Sequence, residues 1–259
     1  MSADGGDVSD DAVLGGRLAL RQPRLGHRVG HDAILLAAAT HGEAGGHAID
    51  LGAGVGAAGL ALARRVDGLG VTLVEIDPDL TALAYGNAQR NGLGRRVRAV
   101  CLDVAAAAAA FAAAGLTAGS ATAVLMNPPF NVSQNPSPDD RRRTAHIATG
   151  DTLRQWLAAA ARLLRPHGAV TLIWRADGLG DVIGALGSDF GSGFGAIAIL
   201  PVHPKPGAPA IRVLVRAVKA SRAALALWPG LVLADAKGRP TPEAEAVLRN
   251  GDVLSFALK

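Results

Sequence analysis

The tetrapeptide Asn127-Pro128-Pro129-Phe130 follows an apolar, strand-length run and joins an amide side chain, a stiffened backbone carbonyl and an aromatic face. Those residue types suit one task, methylation of a planar amino nitrogen whose lone pair is delocalised into a ring or carbonyl. The Asn127 side-chain oxygen and the Pro128 carbonyl can accept the two N–H bonds, which localises the lone pair and aims it at an electrophilic methyl. Holding two bound reactants near attack geometry then supplies the rate. Pro128 and Pro129 stiffen the loop so that its carbonyl points outward. Phe130 offers a face for an extruded base, worth roughly 1–3 kcal/mol. No general base is required before transfer, because the amine loses its proton readily once methylated.

The electrophile needs a site of its own, and Asp50-Leu51-Gly52-Ala53-Gly54-Val55-Gly56 has the makings of one. Glycines let the backbone turn sharply and let a ligand approach the main chain, while the following helix presents its amide N-terminus. Gly54, Gly56 and Gly59 also satisfy G-x-G-x-x-G, and Glu75 lies about twenty residues on, so a nicotinamide dinucleotide fits these glycines too. Glu75 would hold an adenosine ribose in either case. Two acids separate the readings. Asp50 stands where a pyrophosphate turn has no use for negative charge but where S-adenosyl-L-methionine carries an amino group. Asp103 can accept from the exocyclic amine of the cofactor's adenine.

These residues require a scaffold that delivers them to one edge. Strand-length apolar segments run at 47–51, 71–75, 97–102, 122–126, 169–174, 196–200 and 211–218. Most are continuous rather than alternating, as strands covered on both faces read. Helical patterns lie between them at 57–66, 78–91, 104–114 and 152–164, the last closed by Pro166 and Gly168. Such alternation predicts a doubly wound, Rossmann-like α/β sheet. The candidate residues then fall at the carboxyl ends of its strands, where ligands bind in such folds. Residues 131–143 read as a long loop ending in Arg141, Arg142 and Arg143.

With Asp50 to Gly56, Val74-Glu75-Ile76-Asp77, Asp103 and Asn127 to Phe130 in place, the chain resembles the class I S-adenosylmethionine-dependent methyltransferases of the amino-methylating branch. The segment Gln22 to Leu36 is similar to the Q-x-x-x-G-Y-R-x-x-x-D-x-x-L-L stretch of the bacterial family that methylates N6 of adenine 37 in valine tRNA. The likeness extends through 143–146, Trp156, 201–204 and 231–241. His27 stands where that family has Tyr, and Phe130 where it commonly has Tyr. The resemblance implies a seven-stranded, mostly parallel sheet with the last strand antiparallel. It implies cofactor contacts from Asp50, Gly52, Ala53, Gly54, Gly56, Glu75, Ile76, Asp103, Val104 and Asn127. The reaction would leave S-adenosyl-L-homocysteine and an N6-methyladenine in RNA, most simply tRNA. Protein glutamine N5 and guanine N2 are the rival acceptors, and a non-catalytic RNA-binding protein on the same fold is the rival class.

Composition bounds the rest. The 259 residues include 49% hydrophobic side chains and one Cys, which excludes both a disulfide scaffold and a chain too polar to fold. The longest apolar stretch, 104–116, is too short to span a bilayer, and the N-terminus lacks a secretory pattern, so the expected location is the cytoplasm, as monomer or homodimer. Residues 1–16 hold Asp4, Asp7, Asp10 and Asp11 and no Lys or Arg, which reads as a flexible acidic tail before a single catalytic domain at 17–259. That domain retains 26 cationic against 18 anionic side chains, +8. Arg21, Arg24, Arg28 and Arg141 to Arg143 are its candidate RNA-phosphate contacts or, equally, ordinary solvated charges. Asp32 either lies near the cofactor or caps a helix beginning at Ala33. The histidines at 27, 31, 41 and 47 lack the paired spacing of a metal site. Cys101 and Trp156 read as core residues.

Overall fold

The computed structural model describes residues 8–25, 28–129, 140–187 and 193–256, with 140–150 described for the backbone alone. It opens with an antiparallel hairpin, β1 (Val8–Val13) and β2 (Leu18–Pro23), followed by α1 (His31–Ala39). Alternation then begins: β3 (His47–Leu51), α2 (Ala57–Arg65), β4 (Gly70–Glu75), α3 (Pro78–Arg90), β5 (Val97–Cys101), α4 (Ala108–Ala113) and β6 (Ala121–Met126). There follow α5 (Asp140–Leu163), β7 (Leu164–Arg175), α6 (Leu179–Leu186), β8 (Phe194–His203) and β9 (Arg212–Lys219). Two short strands, β10 (Ala226–Leu227) and β11 (Leu231–Val232), precede α7 (Pro242–Leu248).

The main sheet runs β10-β8-β9-β7-β6-β3-β4-β5, with β11 also on β8. Its seven long strands are the seven expected, and β9, the last of them, is antiparallel to both β7 and β8. The remaining pairs are parallel. This is the class I methyltransferase arrangement, extended at the β8 edge by two residues each of β10 and β11. Continuous apolar runs have the meaning assigned to them: Ala48, Val71 and Leu73 are buried on one face, Ile49, Leu51 and Val74 on the other. Strand order reverses between β3 and β6, which opens a crevice at their carboxyl ends.

Local chemistry sets several boundaries. Asp77 caps α3 by accepting from the Asp79 and Leu80 amides, with Pro78 inside the first turn. The helix expected from Val104 starts four residues later, because Asp103 Oδ1 takes the Ala105 N–H at 2.8 Å and closes a turn there. In the other direction α5 begins at Asp140, so the backbone of Arg141 to Arg143 is helical rather than loop; residues 131–139 lie outside the described set.

The acidic N-terminus departs furthest from expectation. Residues 8–16 are ordered, forming β1 and a 3-10 turn. Asp10 pairs with Arg90 and lies 3.6 Å from Arg21, while Asp11 accepts from Ser9, Gln22 and Arg28. Charge that reads as solvating in isolation is neutralised by partners elsewhere in the fold, and Leu18, Leu20 and Gln22 of β2 are buried beneath it.

Candidate active site

The register of the central strands places the candidate residues side by side. Leu51 on β3 pairs with Met126 on β6 and with Val74 on β4, and Glu75 pairs with Cys101 on β5. Cys101 ending β5, Glu75 ending β4, Gly52 past β3 and Asn127 past β6 therefore form one row, with Asp103 two residues beyond Cys101. Three strand spacings of about 4.8 Å make the row about 14 Å long.

The glycine turn is packed at Gly52 and Gly56 and open at Gly54. Gly52, Gly54 and Gly56 have φ of 69°, 55° and 90°, the left-handed region that favours glycine. A Cβ at Gly52 would stand 2.3 Å from the Trp156 ring, so Trp156, half-buried on α5, closes the back of the turn rather than serving only as core. A Cβ at Gly54 would meet nothing within 4 Å, so that backbone faces open space. Glu75, 8% exposed, accepts the Gly54 amide on Oε2 at 2.8 Å and the Ile76 and Asp77 amides on Oε1 at 2.8 and 3.0 Å. A carboxylate offers about four lone-pair positions, so capacity remains for a hydroxyl donor. Ile76 beside it is 60% exposed and presents an apolar surface, whereas Val104 is buried in the core.

Asp50 is 2% exposed and accepts the Gly59 amide at 2.8 Å, tying the end of β3 to α2. Burial pushes its carboxyl up to about 7, with the negative Glu75 adding to the rise and the Gly59 hydrogen bond opposing it. An unfolded chain gives up that proton near its ordinary value of 3.8, while the folded chain keeps it to about 7. Stability contributed by the protonated group is thus present at low pH, declines through that window and is absent above it. Asp50→Asn should remove the decline, so the Tm of the variant relative to the parent climbs by roughly 2–4 °C or more between pH 5 and 8. Calorimetry at both values tests this; an offset that does not change with pH would refute it.

Asn127 is half-buried, and its Oδ1 is buried with no hydrogen-bond partner among the described residues. An orphaned buried acceptor costs about 1–3 kcal/mol, a cost a ligand donor can relieve. Pro128 and Pro129 continue from it; Phe130 lies outside the described residues, as does His27, and the side chains of Arg141 to Arg143 are likewise not described.

Other expectations need correction. Asp32 does not cap α1, whose N-cap is Gly30; its carboxylate accepts from Arg212 Nε at 2.9 Å, bridging α1 to β9. Cys101 is exposed on the edge strand β5, not in the core, and its Sγ approaches the Ile76 carbonyl at 3.4 Å. Arg28 is paired with both oxygens of Asp11, whereas the exposed Arg24 donates from Nε to the neutral Val8 carbonyl and keeps its charge. Asn87 on α3 and Asn91 at its C-cap drew no attention in the sequence. Asn87 Oδ1 accepts the Arg21 N–H while its Nδ2 donates to the carbonyls of Arg21 and of Val55 in the glycine turn. Two asparagines one helical turn apart were the available signal. Among the described residues no three His, Cys, Asp or Glu side chains gather as a metal set, and no helix is long and apolar enough to cross a membrane.

Comparison with known proteins bears directly on this crevice: residues 28–180, from the hairpin exit through β7, match the methyltransferase small domain. The chain belongs to the methyltransferase small domain family. Within that family's wider circle, the tRNA1(Val) (adenine(37)-N6)-methyltransferase of Bacteroides fragilis is 30% identical over 190 residues, 73% of this chain and 76% of that protein. A release factor glutamine methyltransferase of Chlorobaculum tepidum is 31% identical over 150 residues, 55% of this chain and half of that protein. Among solved structures, one described as a predicted O-methyltransferase from Agrobacterium tumefaciens shares 28% identity with a TM-score of 0.73, covering 88% of this chain and all of that one. Membership of a methyltransferase family leaves the nicotinamide reading of the glycines without support.

Proposed function

We propose that the protein transfers a methyl group from S-adenosylmethionine to the exocyclic N6 amine of an adenine in RNA, the substrate being a tRNA. The observation that carries this is the buried Oδ1 of Asn127, which has no hydrogen-bond partner among the described residues and lies one strand away from the glycine turn. The row of groups across the sheet also follows the order of the cofactor's own parts: Asp103 for adenine, Glu75 for ribose, Asp50 and the glycine turn for the amino-acid end. Asn127 then comes next, where the acceptor must stand. Ile76 offers its exposed side chain to the purine, and an acid at Asp50 suits a cation.

When bound, the cofactor supplies a methyl on a positively charged sulfur, which leaves as a neutral thioether. Asn127 Oδ1 accepts one N–H of the adenine amine and the Pro128 carbonyl the other, so the nitrogen lone pair is drawn out of conjugation and directed at that methyl. The amine nitrogen, held by Asn127 and Pro128, would take that methyl as the thioether departs and then give up one proton to solvent. Phe130 supplies the stacking face. RNA loops favour this geometry because their bases are already unstacked and cost little to extrude.

The adenine acceptor draws support from the Gln22 to Leu36 segment and from the Bacteroides fragilis relative, whose name gives adenine 37 of a tRNA as its target. Incubation with labelled cofactor and bulk tRNA, followed by mass spectrometry of nucleosides, should yield labelled N6-methyladenosine. Label in 2-methylguanosine, or in protein glutamine with none in RNA, would overturn the assignment.

A further inference from the structure

We propose that Asn87 is a positioning residue of the cofactor site, acting through the Val55 carbonyl; this rests on the cofactor reading above. Asn87 is fully buried and uses its amide in three directions. Its Oδ1 accepts the Arg21 N–H at 2.7 Å, and its Nδ2 donates to the Arg21 carbonyl and the Val55 carbonyl, each at 3.0 Å. Asn91 makes the matching pair of bonds to the N–H and carbonyl of Ala19, at 3.0 and 2.8 Å. The two asparagines thus imitate a neighbouring strand for β2. Four residues of helix rise about 6 Å and two residues of strand about 6.7 Å, which is why an i, i+4 pair on α3 and its C-cap reaches alternate residues of the hairpin.

Only Asn87 goes further than docking. Val55 sits between Gly54 and Gly56, both at positive φ, where peptide planes turn with little steric resistance. The donor from Asn87 fixes the Val55–Gly56 plane with its oxygen toward α3. A carbonyl turned the other way would confront the carboxylate end of the cofactor. Gln22, the next residue of β2, is also buried and accepts the Val29 N–H on Oε1 at 2.8 Å, so the clamp at Arg21 is continued to the chain entering α1.

Asn91 provides the control, since it docks the hairpin without touching the glycine turn. Asn87→Asp puts an oxygen against two carbonyls, and Asn91→Asp does the same at Ala19 and Asn87. Binding of S-adenosylmethionine by calorimetry should weaken about tenfold or more in Asn87→Asp, and stay within about twofold in Asn91→Asp. In turnover, the cofactor KM should rise with Asn87→Asp while kcat at saturating cofactor and KM for RNA hold. Should the aspartate fail to fold, Asn87→Ser removes the amide without adding charge and is expected to show the same split. Equal losses in the Asn87 and Asn91 variants, or unchanged affinity in the Asn87 variant, would overturn the proposal. No binding of S-adenosylmethionine by the unaltered protein would instead overturn the cofactor reading on which it rests.

Discussion

Asn127→Ala lowers the rate of methyl transfer by about 10³-fold or more while the affinity for S-adenosylmethionine stays within about twofold. Removing one preorganised hydrogen-bonding group aimed at developing charge costs about 10²–10³ in kcat in well-studied sites. Here the loss should be larger, because in the proposed reaction Asn127 would provide one of two acceptors that free the nitrogen lone pair. The side chain's Oδ1 has no partner among the described residues, so its removal breaks no hydrogen bond of the fold that the structure shows. The effect should therefore fall on kcat rather than on stability or cofactor binding. Single-turnover transfer alongside calorimetry separates the two; wild-type rates in the variant would end the assigned role.

Glu75→Ala should do the opposite, weakening S-adenosylmethionine binding by about 10²-fold or more. Its carboxylate serves three backbone amides, those of Gly54, Ile76 and Asp77, besides any hydroxyl of the ligand. Hydrogen bonds to a charged group contribute about 1.5–3 kcal/mol each, and one such ligand bond already approaches the expected loss. Freed from Glu75, the Gly54 amide also loses the anchor that holds the turn in its left-handed conformation. Glu75→Gln keeps the shape but halves the acceptors and should fall between. Calorimetry that finds unchanged affinity would count against the ribose assignment.

What could be read from the sequence was whatever depends on local pattern. Buried parallel strands need apolar residues on both faces, so 47–51 and 71–75 announce themselves, and the acids and glycines that end them inherit their places from the strands. Asn127 was legible for the same reason, as the first polar residue after an apolar run. Groups whose meaning depends on distant partners were not. Asp10 and Arg90 are 80 residues apart and Asp11 and Arg28 are 17 apart, so a count of charges along the chain separated what the fold pairs. Asp32 looks like a cap until Arg212, 180 residues on, reaches it. Cys101 sits in an apolar run, yet β5 is an edge strand, and nothing in five residues states which strand lies outermost. Asn87 hides because an amide on a helix reads as surface until a strand is found lying against it.

The paired hairpin alters what salt would do to RNA binding. Association with RNA draws free energy from cations released when protein charges replace them, and single strands lose affinity with a log–log slope of about 0.7 per phosphate neutralised. Arg28 and Arg90 arrive with carboxylates already attached, and Arg21 lies 3.6 Å from Asp10. Such side chains displace few ions when they meet a phosphate, and must first part from their own partners. If RNA is the substrate as proposed, the ionic-strength dependence of binding should be set mainly by arginines and lysines without such carboxylate partners, and be shallower than the surplus of +8 would indicate.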